Sequence, residues 1–244
     1  MVDYNKQAEK WHRDEPKHYS DFCGIPEVYD LAKKFGSGRS FLDLGCGEGY
    51  FCRRMVGIAK DIVGVDTSTG MIDLAVKKEE KELSGINYHI SDVRNMPFIN
   101  SAQVDLCIGN YVANYFRPDE LPQFYSEIAR VLKAGGKFVL LIPHPVLRLC
   151  IDYGEAIKYQ IDDFDYVKSR GKWYDGVIKT IQGDFLEIGL YHSTIEDHFN
   201  AISHAKLKIS QIKEPVFPYD VAQRLPLFSK MVDKIDCMIF IGEK

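Results

Sequence analysis

Five short apolar runs mark the first 145 residues of the chain. They are rich in leucine or β-branched residues, nearly continuous rather than alternating, and bounded by glycine or aspartate. Runs of this kind are typical of strands that are covered on both faces, as in a parallel sheet. We therefore predict strands at residues 41–45, 62–66, 86–90, 104–110 and 137–143.

Segments with a helical spacing of apolar residues separate these runs. Val28, Leu31 and Phe35 recur at helical intervals after Pro26, and Gly36 ends that helix. Further helices are predicted at residues 3–10, 50–59, 69–83 and 119–132. Strands and helices in alternation predict right-handed βαβ units, and hence an α/β fold around a mostly parallel sheet.

The alternation stops after Pro145. Residues 146–192 are irregular and rich in Tyr, Asp and Gly, with one hairpin indicated at 173–181 and 184–191. A helix then follows a predicted capping box that runs from Ser193 to Glu196.

The last quarter of the chain predicts two closing strands, at residues 207–214 and 234–243. No internal repeat or flexible linker divides the sequence. We interpret residues 1–244 as a single domain, in which residues 1–26 form an N-terminal lid segment and residues 146–192 form a cap insertion over the active site.

Composition narrows the class of protein. With 244 residues, of which 45% are hydrophobic, the chain can bury a sizeable core, which excludes disorder as its main state. Its 31 Lys and Arg face 35 Asp and Glu, for a formal charge of −4. Because a protein that grips phosphate backbones is expected to be basic, we do not expect nucleic acid as a partner.

The six cysteines lie far apart and include no C-x-x-C pair. The pattern indicates neither a zinc cage nor a disulfide framework, so we predict no metal site. Reduced thiols favour a cytoplasmic location. The first residues lack the apolar segment of a signal peptide, and no apolar run approaches the roughly 20 residues that cross a bilayer, so no membrane partner is expected.

A glycine-rich loop follows the first predicted strand and carries the sharpest chemical signal. It reads Asp43-Leu44-Gly45-Cys46-Gly47-Glu48-Gly49, a G-x-G-x-G spacing that differs from the dinucleotide pattern G-x-G-x-x-G. Glycines allow a tight turn and a close approach of the backbone to a ligand. Asp66 ends the second strand about 20 residues on, where a carboxylate can accept hydrogen bonds from ribose hydroxyls, and Asp92 follows the third strand.

At these residues the chain resembles the class I S-adenosylmethionine-dependent methyltransferases, in particular their small-molecule branch with the methyltransferase domain 11 or 25 pattern. The segments that carry the resemblance are LDLGCGEGYF, VGVDTSTGMIDLA, SDVRNMPF, VDLCIGNYVANYF and EIARVLKAGGKFVLLIPHP, in that order. The resemblance implies a Rossmann-like, doubly wound, mostly parallel sheet with an antiparallel last strand and a cap insertion after the fifth strand. It also implies S-adenosyl-L-methionine as the cofactor.

The resemblance further implies which residues hold that cofactor. Asp43 is expected near its ammonium group, Asp66 on the ribose, and Asp92 on the adenine amino group. The full set is Asp43, Gly45, Cys46, Gly47, Gly49, Asp66, Thr67, Met71, Asp92, Val93 and Asn110. For Met71 a place in the hydrophobic core is an open alternative, because Met71 shares a helix face with Leu and Ala.

Two residues are candidates for catalysis. Tyr111 ends the fourth strand, where the resemblance implies the sulfonium group. His144 stands between Pro143 and Pro145, and we expect it to act as a general base or as a donor that orients the acceptor. The alternative for His144 is a structural histidine bonded to a neighbouring carbonyl.

Aromatic residues supply the expected substrate contacts. The aromatic side chains of the lid segment and of the cap insertion can stack on a planar acceptor or surround a cation. Alternatively, the aromatic side chains of either segment can form a small hydrophobic core of their own. His192 occupies the place of a His-Arg-Thr segment in similar enzymes, with Ser193 in place of the arginine. The candidates for substrate binding are Tyr4, Trp11, Tyr115, Trp173 and His192.

Two functions from different classes therefore remain. The first is a methyltransferase (EC 2.1.1.-) that transfers a methyl group from S-adenosylmethionine to O, N or C of a small aromatic or hydrophobic metabolite. The second is a protein that binds the same cofactor without methyl transfer, as a cyclase, scaffold or partner subunit. A homodimer is compatible with either function. A nicotinamide dehydrogenase conflicts with the G-x-G-x-G spacing.

Overall fold

The structure is a computed structural model that describes residues 2–244. Ten strands lie in two sheets. The strands are β1 (Ser40–Leu44), β2 (Asp61–Asp66), β3 (Ile86–Ile90), β4 (Val104–Asn110), β5 (Leu132–Pro143), β6 (Ile157–Tyr159), β7 (Trp173–Lys179), β8 (Phe185–Tyr191), β9 (Lys208–Lys213) and β10 (Cys237–Glu243).

Helices connect most of these strands. They are α1 (Tyr4–Trp11), α2 (Ile25–Gly36), α3 (Tyr50–Arg54), α4 (Thr69–Glu82), α5 (Leu121–Val131), α6 (Ile195–His204) and α7 (Tyr219–Arg224). Short 3₁₀ helices lie at Tyr19–Asp21, Ala113–Tyr115 and Pro226–Met231. Within residues 2–244 no helix has the length and apolar character that crossing a membrane requires.

The large sheet has seven strands in the order β3-β2-β1-β4-β5-β10-β9. Strands β1 to β5 pair in parallel, whereas β10 runs antiparallel to both β5 and β9. The predicted doubly wound sheet with an antiparallel last strand is therefore confirmed. Because the chain reverses its winding direction between β1 and β4, a crevice forms at the carboxyl ends of these two strands.

Apolar layers cover both faces of this sheet. Along β1, Phe41 packs into one layer and Leu42 into the other, and along β5 Val139 and Leu140 divide in the same way. All four side chains are almost fully buried. The nearly continuous apolar runs of the sequence arise because both faces of each central strand need apolar side chains.

A second, three-stranded antiparallel sheet lies within residues 146–192, in the order β6-β7-β8. The predicted hairpin is present as β7 and β8, which pair from Trp173 with Tyr191 to Lys179 with Phe185. Helix α1 contacts this sheet through Gln7, whose side-chain amide donates to and accepts from the Glu187 backbone at 2.9 and 3.0 Å.

Three local predictions are corrected. Helix α3 ends at Arg54 instead of residue 59. Strand β5 begins at Leu132 instead of residue 137, because residues 132–136 extend the strand towards its amino end and Leu132 pairs with Val104 of β4. The capping box lies one residue later than predicted. Thr194, in extended conformation, accepts from the Asp197 backbone, and Asp197 accepts from the Thr194 backbone at 2.9 Å.

Candidate functional site

A cavity of about 550 Å³ lies in the crevice at the carboxyl ends of β1 and β4. Its wall includes the ends of the parallel strands, the N-terminal segment and the three-stranded sheet of β6, β7 and β8, here the cap sheet. Of the predicted cofactor residues the cavity brings together Asp43, Gly45, Cys46, Gly47, Asp66, Thr67, Met71, Asp92, Val93 and Asn110. Gly49 does not line it and instead packs against Tyr88.

The glycine loop turns sharply at the mouth of β1. Gly45, Gly47 and Gly49 have φ angles of 71°, 55° and 81°, a left-handed region in which a side chain is strained. The backbone N–H of Gly45 donates to Val65 at 2.8 Å, which ties the loop to β2. A Cβ on Gly47 would meet no protein atom within 4 Å, so the loop leaves open space there for a ligand.

Asp66 holds this loop in place and still faces the cavity. Its Oδ2 accepts from the Gly47 N–H and its Oδ1 from the Ser68 N–H, both at 2.9 Å. Burial raises the pKa of Asp66 above its ordinary value, while the backbone hydrogen bonds oppose that rise. Since each carboxylate oxygen has a second lone pair, Asp66 can accept two further hydrogen bonds from hydroxyl groups.

Asp43 is the most deeply buried acid of the cavity wall. It is 1% exposed, and burial raises its pKa to about 7, with repulsion from Asp66 adding to the rise. The Cys52 thiol donates to its Oδ2 at 3.3 Å and opposes the rise only in part. A buried carboxylate without a cationic partner suits a ligand that brings a positive charge.

Asp92 has a partner of its own, which the sequence did not reveal. Arg94 donates to both of its oxygens, with Nε at 3.0 Å from each, and also pairs with Glu120. Partial burial would raise the pKa of Asp92, but the hydrogen bonds and charge of Arg94 outweigh it and lower the pKa. Val93 is buried beside it, and the Arg94 guanidinium lies 4.9 Å from the centre of the Phe116 ring.

Thr67 and Met71 follow Asp66 on the same side of the cavity. Thr67 is exposed at the rim, and Met71 is buried on the first turn of α4. Met71 lines the cavity, so its buried position does not remove it from contact with a ligand.

The end of β4 carries polar atoms that no protein group satisfies. Tyr111 adopts φ 56°, a left-handed conformation that is strained for a residue with a side chain. Within residues 2–244 the buried Asn110 Oδ1, Tyr111 hydroxyl and Asn114 Oδ1 have no hydrogen-bond partner. Buried polar groups are normally hydrogen-bonded, so these atoms fit a cavity built for a polar ligand.

The N-terminal segment closes the cavity from above. The Asn5 side-chain oxygen accepts from Ser68 Oγ and from the Gly70 N–H, both at 2.9 Å, which fixes α1 on the start of α4. Tyr4 forms a hydrogen bond with Tyr115 across the cavity. Tyr4, Trp11 and Tyr115, three of the expected substrate residues, all line the wall.

His144 lies outside this cavity, which argues against the catalytic role expected from its place after β5. Its Nδ1 accepts from the backbone N–H groups of Val146 and Leu147 at 3.1 Å each, and its Nε2 donates to Glu214 at 2.9 Å. Both ring nitrogens are therefore occupied in holding the chain where β5 leaves the sheet.

Trp173 and His192 also stand behind the wall rather than in it. The Trp173 ring packs on Tyr115 and Tyr191, with ring centres 6.2 and 4.9 Å apart, and supports two residues that do face the cavity. His192 is buried against the cap, and its Nε2 donates to the Tyr166 carbonyl at 2.8 Å.

The structure adds a histidine that the sequence did not single out. His18 lines the cavity, its Nδ1 lies 2.9 Å from Ser20 Oγ, and within residues 2–244 its buried Nε2 has no partner. Burial and then the charge of Arg13 lower the pKa of His18 to about 3, against the opposing charge of Asp21. Its ring is therefore neutral at pH 7.

An arginine is the second addition. Arg148 is 3% exposed, follows β5 and lines the cavity. It donates to Asp236 Oδ2 at 2.5 Å, to the Tyr19 hydroxyl at 2.6 Å and to the Tyr159 hydroxyl at 3.3 Å. Tyr19 and Asp236 lie 129 and 88 residues from Arg148 along the chain, so no local motif could have indicated this cluster.

The sheet order brings the glycine loop after β1 together with Asp43 and Asp66, at the carboxyl ends of β1 and β2, and with Asp92, just after β3. Residues 42–140 match the family model described as a methyltransferase domain. This match covers 99 of the 244 residues, and it agrees with the resemblance to the class I S-adenosylmethionine-dependent methyltransferases.

Two curated bacterial relatives align with the same part of the chain. A biotin biosynthesis bifunctional protein BioHC from Teredinibacter turnerae is 34% identical in an alignment of 113 residues that covers 42% of this chain and 19% of that protein. A malonyl-[acyl-carrier protein] O-methyltransferase from Serratia marcescens is 30% identical over 99 residues, covering 41% of this chain and 36% of the relative. The aligned part is thus well under half of either relative.

Solved structures extend the likeness of fold to nearly the whole chain. An S-adenosylmethionine-dependent methyltransferase from Mesorhizobium loti has a TM-score of 0.67 at 19% identity, covering 89% of this chain and 96% of that one. The CcbJ methyltransferase from Streptomyces caelestis has a TM-score of 0.68 at 13% identity, covering 98% and 95%. At these identities the likeness concerns the fold alone.

Proposed function

We propose that this chain is an S-adenosylmethionine-dependent methyltransferase that acts on a small aromatic or hydrophobic acceptor. The observation that carries the proposal is the single cavity that joins Asp43, Asp66 and Asp92 to the strained end of β4. In the sheet order β3-β2-β1-β4-β5 these acids lie on one side and the remaining cavity extends towards β5. The part of the cavity beside the three acids, here the cofactor half, would hold the cofactor. The part that extends towards β5, here the acceptor half, would hold the acceptor.

The residues present fit the proposed cofactor. Asp43 has the buried carboxylate for its ammonium group, Asp66 has free lone pairs for ribose hydroxyls, and Gly47 leaves the open space that its backbone would cradle. Bound there, S-adenosylmethionine would supply an electrophilic methyl group. The protein would contribute position and a water-poor environment, which are its main means of accelerating a displacement.

The acceptor half supports a small molecule. It is lined by the apolar side chains of Ile25, Pro143, Ile178 and Ile188, with tyrosines among them. The hydrogen-bonded pair of Tyr4 and Tyr115 covers the cavity on one side, and the cap sheet covers another side. A polymer would have to displace these elements to reach the end of β4, whereas a metabolite-sized molecule fits within about 550 Å³.

Methyl transfer can be tested with S-adenosylmethionine labelled in its methyl group and a panel of small phenols, amines and acids. We expect label in at least one acceptor, with formation of S-adenosylhomocysteine. Binding of the cofactor with no transfer across the panel would favour the alternative function, a cofactor-binding protein without methyl transfer. An Asp66→Ala variant should lower cofactor affinity by roughly 1 to 3 kcal/mol as its hydrogen bonds are lost.

A further inference from the structure

The part of the wall formed by Tyr19, Arg148 and Tyr159, here the arginine wall, lies next to the end of β4. The Tyr19 ring is 6.4 Å from the Tyr111 ring, measured between centres. Arg148 follows β5, while Asp43 and Asp66 end β1 and β2 on the opposite side of β4. The arginine wall therefore bounds the acceptor half of the cavity.

Hydrogen-bond donors dominate the arginine wall. A guanidinium group has five N–H donors, and within residues 2–244 three are used, on Asp236, Tyr19 and Tyr159. Both tyrosine oxygens accept from Arg148, which leaves each O–H free to donate. The unpartnered hydroxyl of Tyr111 adds another donor nearby. A molecule that meets this surface needs several lone pairs.

The charges in the cavity also favour a ligand with lone pairs, and in particular an anion. Asp236 is fully buried behind Arg148, does not line the cavity, and makes the pair formally neutral. A neutral pair alone neither attracts nor repels an anion strongly. A bound sulfonium group, however, would add a positive charge to this poorly solvated space, and an anion is the partner that offsets it.

We infer that the arginine wall recognises a carboxylate, so that the acceptor is a small carboxylic acid whose carboxylate oxygen receives the methyl group. This inference rests on the proposed function. A carboxylate lone pair would form the new O–C bond while the C–S pair returns to sulfur, giving a methyl ester and a neutral thioether. No proton moves, because a carboxyl group with an ordinary pKa near 4 is already ionised at pH 7.

The side chains near the cavity agree with a reaction that needs no general base. His144, the expected base, has both nitrogens bonded outside the cavity. His18 faces the cavity and precedes Tyr19 of the arginine wall, but burial lowers its pKa to about 3, so its imidazole is a weak proton acceptor.

The test uses cofactor analogues that reach into the acceptor half without requiring the natural acceptor. A nitrogen replaces the sulfonium sulfur and carries an arm of two to four carbons, ending in a carboxylate or in the matched amide. We expect calorimetry to show at least tenfold tighter binding of the carboxylate than of its amide for one arm length. Equal or tighter binding of the amide at every length would overturn the inference.

Variants then tie the preference to the wall. Arg148→Met alone would leave Asp236 buried without its partner, so it is combined with Asp236→Asn. The double variant should lose the carboxylate preference, the milder Tyr159→Phe should reduce it, and the exposed control Arg39→Gln should keep it. A preference that survives in the double variant would also overturn the inference.

S-adenosylhomocysteine, which has no arm, separates this inference from the proposed function. It should bind the wild type and the double variant alike, which also shows that the variant is folded. If it fails to bind the wild type, the proposed function fails and the carboxylate inference falls with it. Normal binding without a carboxylate preference removes the carboxylate inference alone.

Discussion

Replacing Asp43 by asparagine should stabilise the ligand-free protein and weaken cofactor binding at the same time. Burial raises the pKa of this carboxyl group from 3.8 to about 7, with repulsion from Asp66 in the same direction and the hydrogen bond from Cys52 against it. The site therefore holds a charge that is costly to bury until a cationic ligand arrives. Asparagine keeps nearly the same shape without that charge.

The size of the effect follows from the linkage between protonation and folding. A carboxyl group whose pKa is raised by folding destabilises the protein as pH rises from its unfolded pKa to its folded pKa, and the penalty is constant above. For a rise from 3.8 to about 7, the penalty is roughly 1.5 kcal/mol at pH 5 and about 4 kcal/mol at pH 8. The gain from Asp43→Asn should thus grow by about 2.5 kcal/mol between these pH values.

Urea unfolding of the ligand-free wild type and Asp43→Asn at pH 5 and pH 8 measures this difference directly. Titrating groups that do not interact with Asp43 are shared by the two proteins and cancel. Asp73→Asn, on the exposed face of α4, is the matched control and should show no such growth. The variant should also bind S-adenosylhomocysteine about 10- to 100-fold more weakly, as expected for loss of a charged hydrogen bond. A stability difference that does not depend on pH would refute the reasoning.

Three further predictions test the cavity wall. Gly47→Ala should lower the free energy of unfolding by about 1 kcal/mol because of the positive φ of Gly47. The same change should lower cofactor affinity more than tenfold, because the added Cβ enters the open ligand space. Unchanged affinity in calorimetry would contradict this prediction. Asn5→Ala should speed cofactor release severalfold in stopped-flow measurements, since α1 loses its bonds to α4; an unchanged rate would show that this anchor does not control release. His144→Ala should lower the free energy of unfolding by about 1 to 3 kcal/mol and leave S-adenosylhomocysteine affinity intact, with Glu214→Gln as a milder control; lost affinity would place His144 in the site after all.

The fold was predictable because its signals are local. The predicted bounds of β3 and β4 match the observed strands residue for residue, because the flanking turns are marked in the sequence. Strand β4 is also covered on both faces, whereas β3 lies at the edge of the sheet and is only partly buried. The grouping of the acids and glycines in one cavity was predictable for a similar reason. Asp43, Gly45 and Gly47 are close in sequence, and Asp66 and Asp92 follow strands whose carboxyl ends must meet at one edge of a parallel sheet.

The acceptor half depends on contacts between distant segments. Arg148 meets Asp236, 88 residues away, and Tyr19, 129 residues away, and nothing in the local sequence VLRLC indicates a buried cation. The hydrogen bond of His144 could not be predicted for the same reason, because its partner Glu214 lies 70 residues further along the chain. Local sequence shows that a histidine follows β5, but only the tertiary structure shows which way its ring nitrogens are bonded.

Isothermal titration calorimetry of the purified wild-type chain with S-adenosylhomocysteine measures whether the cavity binds the cofactor. We expect one site per chain, and an affinity that falls in Asp66→Ala, since Asp66 both orders the glycine loop and faces the cavity. The absence of binding heat, together with no ligand-induced change in melting temperature, would contradict it.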